Sequence, residues 1–165
     1  MFSTDISELL PGTQKKILRL EEWCLQTGVY IRRTCTYRNP VVQKALYARG
    51  RENYADCVEL YKEAGLVPPL DAFEPNWWKK KVTWTLNSMH SKRRAVDYCM
   101  RGKSPYDLKV DINRNEVPDW EEFAIIAQKC GLNAGYFWKP PKRDCPHVQD
   151  DEIYANKEEN NNVKI

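Results

Sequence analysis

Histidine is scarce in this sequence: 165 residues contain only two, His90 and His147. Any chemistry that needs an imidazole must run through one of them or both. No CxxC pair occurs among the six cysteines, which argues against a cysteine-based zinc site. Apolar runs never exceed a few residues, so no membrane-spanning helix is expected. The first residues, Met1-Phe2-Ser3-Thr4-Asp5, lack a basic segment followed by an apolar one. A chain made in the cytosol without a secretory signal is the expectation, one that needs another agent to carry it to any external target. Acidic residues are missing altogether between Glu74 and Asp97.

What is present describes a folded chain. Hydrophobic residues at 42% and charged residues at 30% are ordinary for a globular protein. At this length one domain is expected, with a core large enough to fold without disulfides. Cys24, Cys35, Cys57, Cys99, Cys130 and Cys145 are widely spaced, which suits reduced and mostly buried thiols. The net charge is +3, unevenly placed. Residues 150–165 hold five acids against two lysines, which leaves the preceding body at +6. They read as an acidic, disordered tail behind a domain of residues 1–149. Lys79, Lys80, Lys81, Lys92, Arg93 and Arg94 fall within the acid-free stretch and make a basic field suited to an anionic partner. Taken alone, a charge run of this kind is a solvated surface.

Pattern and punctuation give the elements. Thr13 reads as the N-cap of a helix to about Gln26, with Ile17, Leu20, Trp23 and Cys24 on one face and Gly28 as its stop. Residues 29–36 alternate and are β-branched, which predicts a strand. Asn39-Pro40 is a cap followed by proline at the first helical position, opening a helix through Arg49. Cys57, Leu60, Tyr61 and Ala64 predict another helix, closed by Gly65. Residues 67–78 read as an ordered loop, and residues 81–86 and 94–100 as strands. A last helix runs from Trp120 to Cys130, with Gly131 as its stop; short extended pieces follow at Phe137 and residues 146–149. The fold class is α+β, with one small mixed or antiparallel sheet packed against helices.

Each histidine alone is more often a surface or satisfied core residue than a ligand. Two histidines and an aspartate nevertheless suffice for a catalytic zinc with one position open to water, and a carboxylate beside that water can take its proton. The surrounding residues carry a resemblance. Ser88-x-His90-x4-Ala95-x-Asp97 resembles the S-x-H-x-x-G-x-A-x-D signature of the zinc D-alanyl-D-alanine carboxypeptidase and L-alanyl-D-glutamate endopeptidase family. Asp144-Cys145-Pro146-His147 is similar to that family's D-x-x-H element. The block from Tyr37-Arg38-Asn39 through Gln43, Leu46-Tyr47-Ala48 and Gly50-Arg51 resembles Y-R-S-x-x-x-Q-x-x-L-Y-A-x-G-R of the phage-endolysin branch. Gly131-Leu132 through Trp138-Lys139 resembles the run before the last histidine. The family glycine between histidine and aspartate is Arg93 here, and another, just before the serine, is Asn87.

The resemblance implies a hedgehog/D-Ala-D-Ala-peptidase-like fold with zinc on the sheet, held by His90, Asp97 and His147. It implies Asp144 as general base and Arg38 as the group that stabilises the oxyanion. Ser88 and Gln43 would be substrate contacts or supports, Gln43 by holding Arg38. The implied activity is endopeptidic cleavage of the L-Ala–D-Glu bond in peptidoglycan stem peptides, by a monomer that reaches the wall after release, through a holin in a phage setting. Two alternatives stand beside it. One is a D-Ala-D-Ala carboxypeptidase or dipeptidase. The other is a non-enzymatic nucleic-acid module with Trp77, Trp78 and Trp84 as stacking platforms behind the basic field, although no nucleic-acid-binding motif is present. A further pattern concerns calcium. Asp111, Asn113, Asn115, Asp119 and Glu122 occupy positions 1, 3, 5, 9 and 12 of a calcium loop, but Glu116 stands where glycine is expected.

Overall fold

The computed structural model describes residues 3–70, 73–102 and 106–151. Helix α1 spans Pro11–Thr27 and buries Thr13, Ile17, Leu20 and Cys24 at helical spacing. Its stop is Gly28, whose φ of 83° lets its N–H turn back to the carbonyls of Cys24 and Leu25. The helix starts earlier than expected because Pro11 is well suited to the first helical position. Thr13 is therefore no cap; it lies inside the first turn, and its hydroxyl donates to Asp150 at 2.8 Å.

Strand β1 (Ile31–Cys35) leads into helix α2 (Pro40–Ala48), which Asn39 caps by accepting from the Val41 N–H. Helix α3 (Tyr54–Glu63) is capped by Asn53 in the same manner. These two helices and a 3-10 turn at Trp77–Lys79 enclose a small core of Ala45, Ala48, Cys57, Tyr61 and Trp77. Arg49, almost fully buried, anchors the unit by donating to the Trp77 carbonyl at 2.9 Å and pairing with Glu74.

Strand β2 (Ala95–Met100), helix α4 (Asp119–Lys129), the two-residue strand β3 (Asn133–Ala134) and strand β4 (His147–Gln149) follow among the described residues. The sheet order is β1-β2-β4-β3, with every pair antiparallel. Val96, Tyr98 and Met100 of β2 join Ile17, Leu20, Trp120 and Phe123 in the main core. Each such side chain contributes about 1.5–3 kcal/mol when fully buried. The alternation of a strand then sends Asp97 to the opposite face, where the candidate site lies.

Three expectations are corrected. Residues 81–86 pair with no strand. Their period-2 pattern is real, but it does not bury the apolar side: Val82, Trp84 and Leu86 are exposed, while Gln43 takes the Thr83 hydroxyl and the Thr85 carbonyl. Phe137 lies in a 3-10 turn, Gly135–Phe137, instead of an extended piece. Asp150, placed in the tail by composition, is buried between Thr13 and Lys16, whose ammonium lies 2.7 Å away. Residues 152–165 of the expected tail lie outside the described residues. All six cysteines are buried, and none of them forms a disulfide. Among the described residues no helix is long and apolar enough to cross a membrane.

Candidate active site

Asp97 and His147 are direct cross-strand partners in the β2–β4 pairing, and Cys35 stands opposite Asp97 on the other side, past an irregularity between Arg33 and Cys35. His90 arrives from the turn before β2. Ser88, buried in that turn, accepts the His90 N–H through its hydroxyl at 3.3 Å. The turn closes through Arg93, whose φ is 62°. The position where the resembled signature has glycine is thus a left-handed one, and here an arginine occupies it. Its side chain leaves the site, lying over the Tyr37 ring at 4.8 Å and pairing with Glu8 at 3.4 Å.

The hydrogen bonds of His90 fix its tautomer. Nδ1 lies 2.9 Å from the Thr36 carbonyl, which can only accept, so Nδ1 carries the proton. In the neutral ring Nε2 is then left as a bare lone pair, and it lies 3.1 Å from Asp97 Oδ1, an atom that also only accepts. No hydrogen bond joins them, and Nε2 is a buried nitrogen without a hydrogen-bond partner. His147 Nδ1 lies 2.9 Å from the same Asp97 oxygen, and its Nε2 lies 2.9 Å from Gln149 Oε1. The two imidazoles meet edge to face at 5.1 Å. Two ring nitrogens thus converge on one carboxylate oxygen, one of them with an orphaned lone pair, and imidazole and carboxylate are donor types that zinc takes.

Charge balance follows the geometry. Burial opposes ionisation of Asp97, but the positive charge that His90 and His147 carry when protonated, together with the hydrogen bond from His147, outweighs it and holds the carboxyl well below the usual range. Burial likewise opposes protonation of His147, yet its bond to Asp97 and the charges of Asp97 and Asp144 raise its pKa. Arg38 reaches the same aspartate from β1's end, donating to Asp97 Oδ2 at 3.2 Å. Its other terminal nitrogen donates to Gln43 Oε1 at 3.0 Å. Gln43, buried on α2, spends its amide N–H groups on Thr83 Oγ1 (2.9 Å) and the Thr85 carbonyl (2.6 Å). One side chain thus ties Arg38 to the wall of the cleft formed by residues 81–86.

Asp144 sits in the turn that delivers His147, its carbonyl accepting from the His147 N–H at 3.1 Å. The turn packs directly on Gly135, where an added Cβ would lie 2.3 Å from the Asp144 carbonyl oxygen. Only glycine permits that approach. Atoms crowding the Asp144 carboxyl raise its pKa, against the lowering effect of His147 and with the help of Asp97. Arg38, Ser88, His90, Asp97, Asp144 and His147 all border one cleft of about 500 Å³.

Cys35 escaped the sequence reading, which counted cysteines only for paired spacing. Its Sγ lies 3.6 Å from His90 Nδ1 and 3.7 Å from Arg38 Nη2. Cys35, His90 and Asp97 offer donor atoms within 4.8 Å of one another. The sulfur sits on the Nδ1 side of the ring, which Thr36 already occupies, and burial pushes its thiol up to about 11. Its place three residues before Arg38, on a strand leading into the site, was the available signal.

Two other patterns resolve differently. The loop of Asp111, Asn113, Asn115, Asp119 and Glu122 is organised by its own bonds. Asp111 accepts from the backbone of Asn115 and Glu116, Asp119 from Ile112, and Glu122 from the amides of Asn113 and Asn115. Glu116 does adopt a positive φ, 70°, but Asp111, Asp119 and Glu122 do not gather their carboxylates into one cluster. The basic field is partly spent, since Arg93 pairs with Glu8 and Arg94 approaches Asp150 at 3.9 Å. Trp77 is 1% exposed and packs on Tyr61, so it cannot serve as a stacking platform.

No protein-family model matches the sequence, and no curated protein matches it. Solved structures do match in fold. The L-Ala D-Glu endopeptidase ChiX of Serratia marcescens superposes with a TM-score of 0.52 over 88% of this chain and 83% of that one, at 15% identity. The LdcB LD-carboxypeptidase, solved for its peptidoglycan recognition, gives 0.55 over 93% of this chain, also at 15% identity. The match spans 64% of that longer chain. The α+β class and the sheet expected from the sequence are the fold these proteins share.

Proposed function

We propose that the protein is a zinc-dependent hydrolase of peptidoglycan stem peptides that cuts the L-Ala–D-Glu bond. The observation that carries the reading is the convergence of His90 Nε2 and His147 Nδ1 on a single oxygen of Asp97. That convergence lies in a fold shared with an L-Ala D-Glu endopeptidase. His90, Asp97 and His147 would hold the metal, with His90 oriented by the Thr36 carbonyl. Zinc, when bound, supplies a Lewis acid that polarises the substrate carbonyl and brings the pKa of water to about 7.

The chain's own residues do the rest. Asp144, with its raised pKa, takes the proton of the attacking water and passes it to the departing amine. Arg38, held from behind by Gln43, meets the negative charge that develops on the carbonyl oxygen. Thr83, Trp84 and Thr85 line the same cleft as a wall along which a peptide can lie. The phage-endolysin setting follows only from the block around Arg38 and remains part of the proposal.

A carboxypeptidase is the second reading, favoured by the likeness to LdcB. Mass spectrometry of digested peptidoglycan separates the two. New D-glutamate amino termini are expected; release of a terminal amino acid alone would replace the endopeptidase reading with the carboxypeptidase one.

A further inference from the structure

The cleft around Asp97 carries more positive charge than its catalytic groups use. Arg38, Lys81 and Arg143 line it, against Asp97 and Asp144 as acids. Arg38 is engaged by Gln43 and Asp97. Among the described residues, Lys81 and Arg143 make no ion pair. Each instead rests near an aromatic ring, Arg143 at 5.3 Å from the Tyr136 centroid and Lys81 at 5.9 Å from Trp84. Tyr136 is itself tethered by its hydroxyl to Glu121 at 3.4 Å. A guanidinium held over a ring keeps its N–H fork free while losing part of its mobility, which prepares it for a planar anion.

Chain adjacency then says where that anion lies. Asp144 must stand beside the leaving amine to hand it a proton. Arg143 is the preceding residue, and both side chains line the same cleft. In a stem peptide the second residue is linked onward through its side-chain carboxyl. Its α-carboxyl therefore sits on the carbon that bears the leaving nitrogen. In some walls this carboxylate is free, and in others it is a carboxamide.

Resting on the stem-peptide reading above, we infer that Arg143 is a specificity residue that binds the free carboxylate beside the leaving amine. The enzyme then favours walls in which that carboxylate is not amidated. Lys81, which lines the same cleft from residues 81–86, adds attraction without setting the choice. A carboxylate offers a guanidinium two parallel hydrogen bonds, whereas a carboxamide presents donors that oppose it.

The test uses two soluble stem peptides that differ only in this group, D-glutamate against D-isoglutamine, with kcat and KM measured for each. The wild-type protein should favour the acid by at least about tenfold in kcat/KM, the scale of a hydrogen-bonded charge. Arg143→Gln should bring the ratio close to one, chiefly through KM for the acid, and Arg143→Lys should restore part of it. Equal cleavage of both peptides by the wild type would overturn the inference and leave the hydrolase reading standing. A preference that survives Arg143→Gln but vanishes in Lys81→Gln would overturn the assignment to Arg143. Failure of the zinc-loaded protein to cut either peptide would overturn both readings together.

Discussion

Asp97 and His147 face each other across adjacent antiparallel strands, and His147 Nδ1 lies 2.9 Å from the Asp97 oxygen that His90 Nε2 also approaches. The sheet register thus fixes two of the three proposed ligands with no loop between them. A site on paired strands is held more firmly than one on loops, and its metal affinity should depend on these residues one by one.

Asp97 and Asp144 are both aspartates in one cleft, yet their replacement should fail differently. Asp97→Asn should lose metal, because the amide lacks the charge that two imidazoles converge on. Asp144→Asn should keep metal and lose turnover by about 10²–10⁴-fold, the usual worth of a general base. Metal content and kcat measured on both variants check this, and equal loss of metal would undo the division of roles.

Gln43 is buried and spends its amide groups on Arg38, Thr83 and Thr85. Gln43→Ala strands those partners, so it should cost about 1–3 kcal/mol of stability in urea unfolding. It should also lower kcat, because Arg38 loses its anchor. Arg38→Ala should cut kcat by about 10²–10³-fold while zinc remains bound. A Gln43→Ala protein with full activity would show that Arg38 needs no such support.

Arg93 holds a left-handed backbone in which a side chain costs about 1–2 kcal/mol. Its exposed pair with Glu8 returns less than that. Arg93→Gly should therefore raise stability by about 0.5–1 kcal/mol once the entropy of glycine is counted. Thermal unfolding reads the change; a clear loss of stability would mean that the contacts to Tyr37 and Glu8 outweigh the strain.

Much of the candidate cleft was legible because its residues stand in short, spaced motifs: His90 with Asp97, Asp144 with His147, Arg38 with Gln43. Helix limits were legible where proline, asparagine and glycine punctuate, as at Asn39-Pro40 and Gly28. Other features depend on what the chain meets in space. The strand pattern of residues 81–86 fails because Gln43 and Arg51 bind the Thr83 hydroxyl and the Thr83 and Thr85 carbonyls, which leaves Val82, Trp84 and Leu86 outside. Asp150 reads as tail by composition, but Thr13 and Lys16, more than 130 residues earlier, bury it. Cys35 becomes part of the site only through the pairing of its strand with the one that carries Asp97.

The central claim is a metal held by His90, Asp97 and His147, with Cys35 beside it as a neutral thiol. Zinc stoichiometry by native mass spectrometry, on the wild type and the Cys35→Ala, His90→Ala and His147→Ala variants, tests it most directly. The account predicts one zinc per chain in the wild type and in Cys35→Ala, and none in either histidine variant. A wild type that cleaves peptidoglycan with no metal bound, or zinc lost with Cys35 and kept without His147, would contradict it.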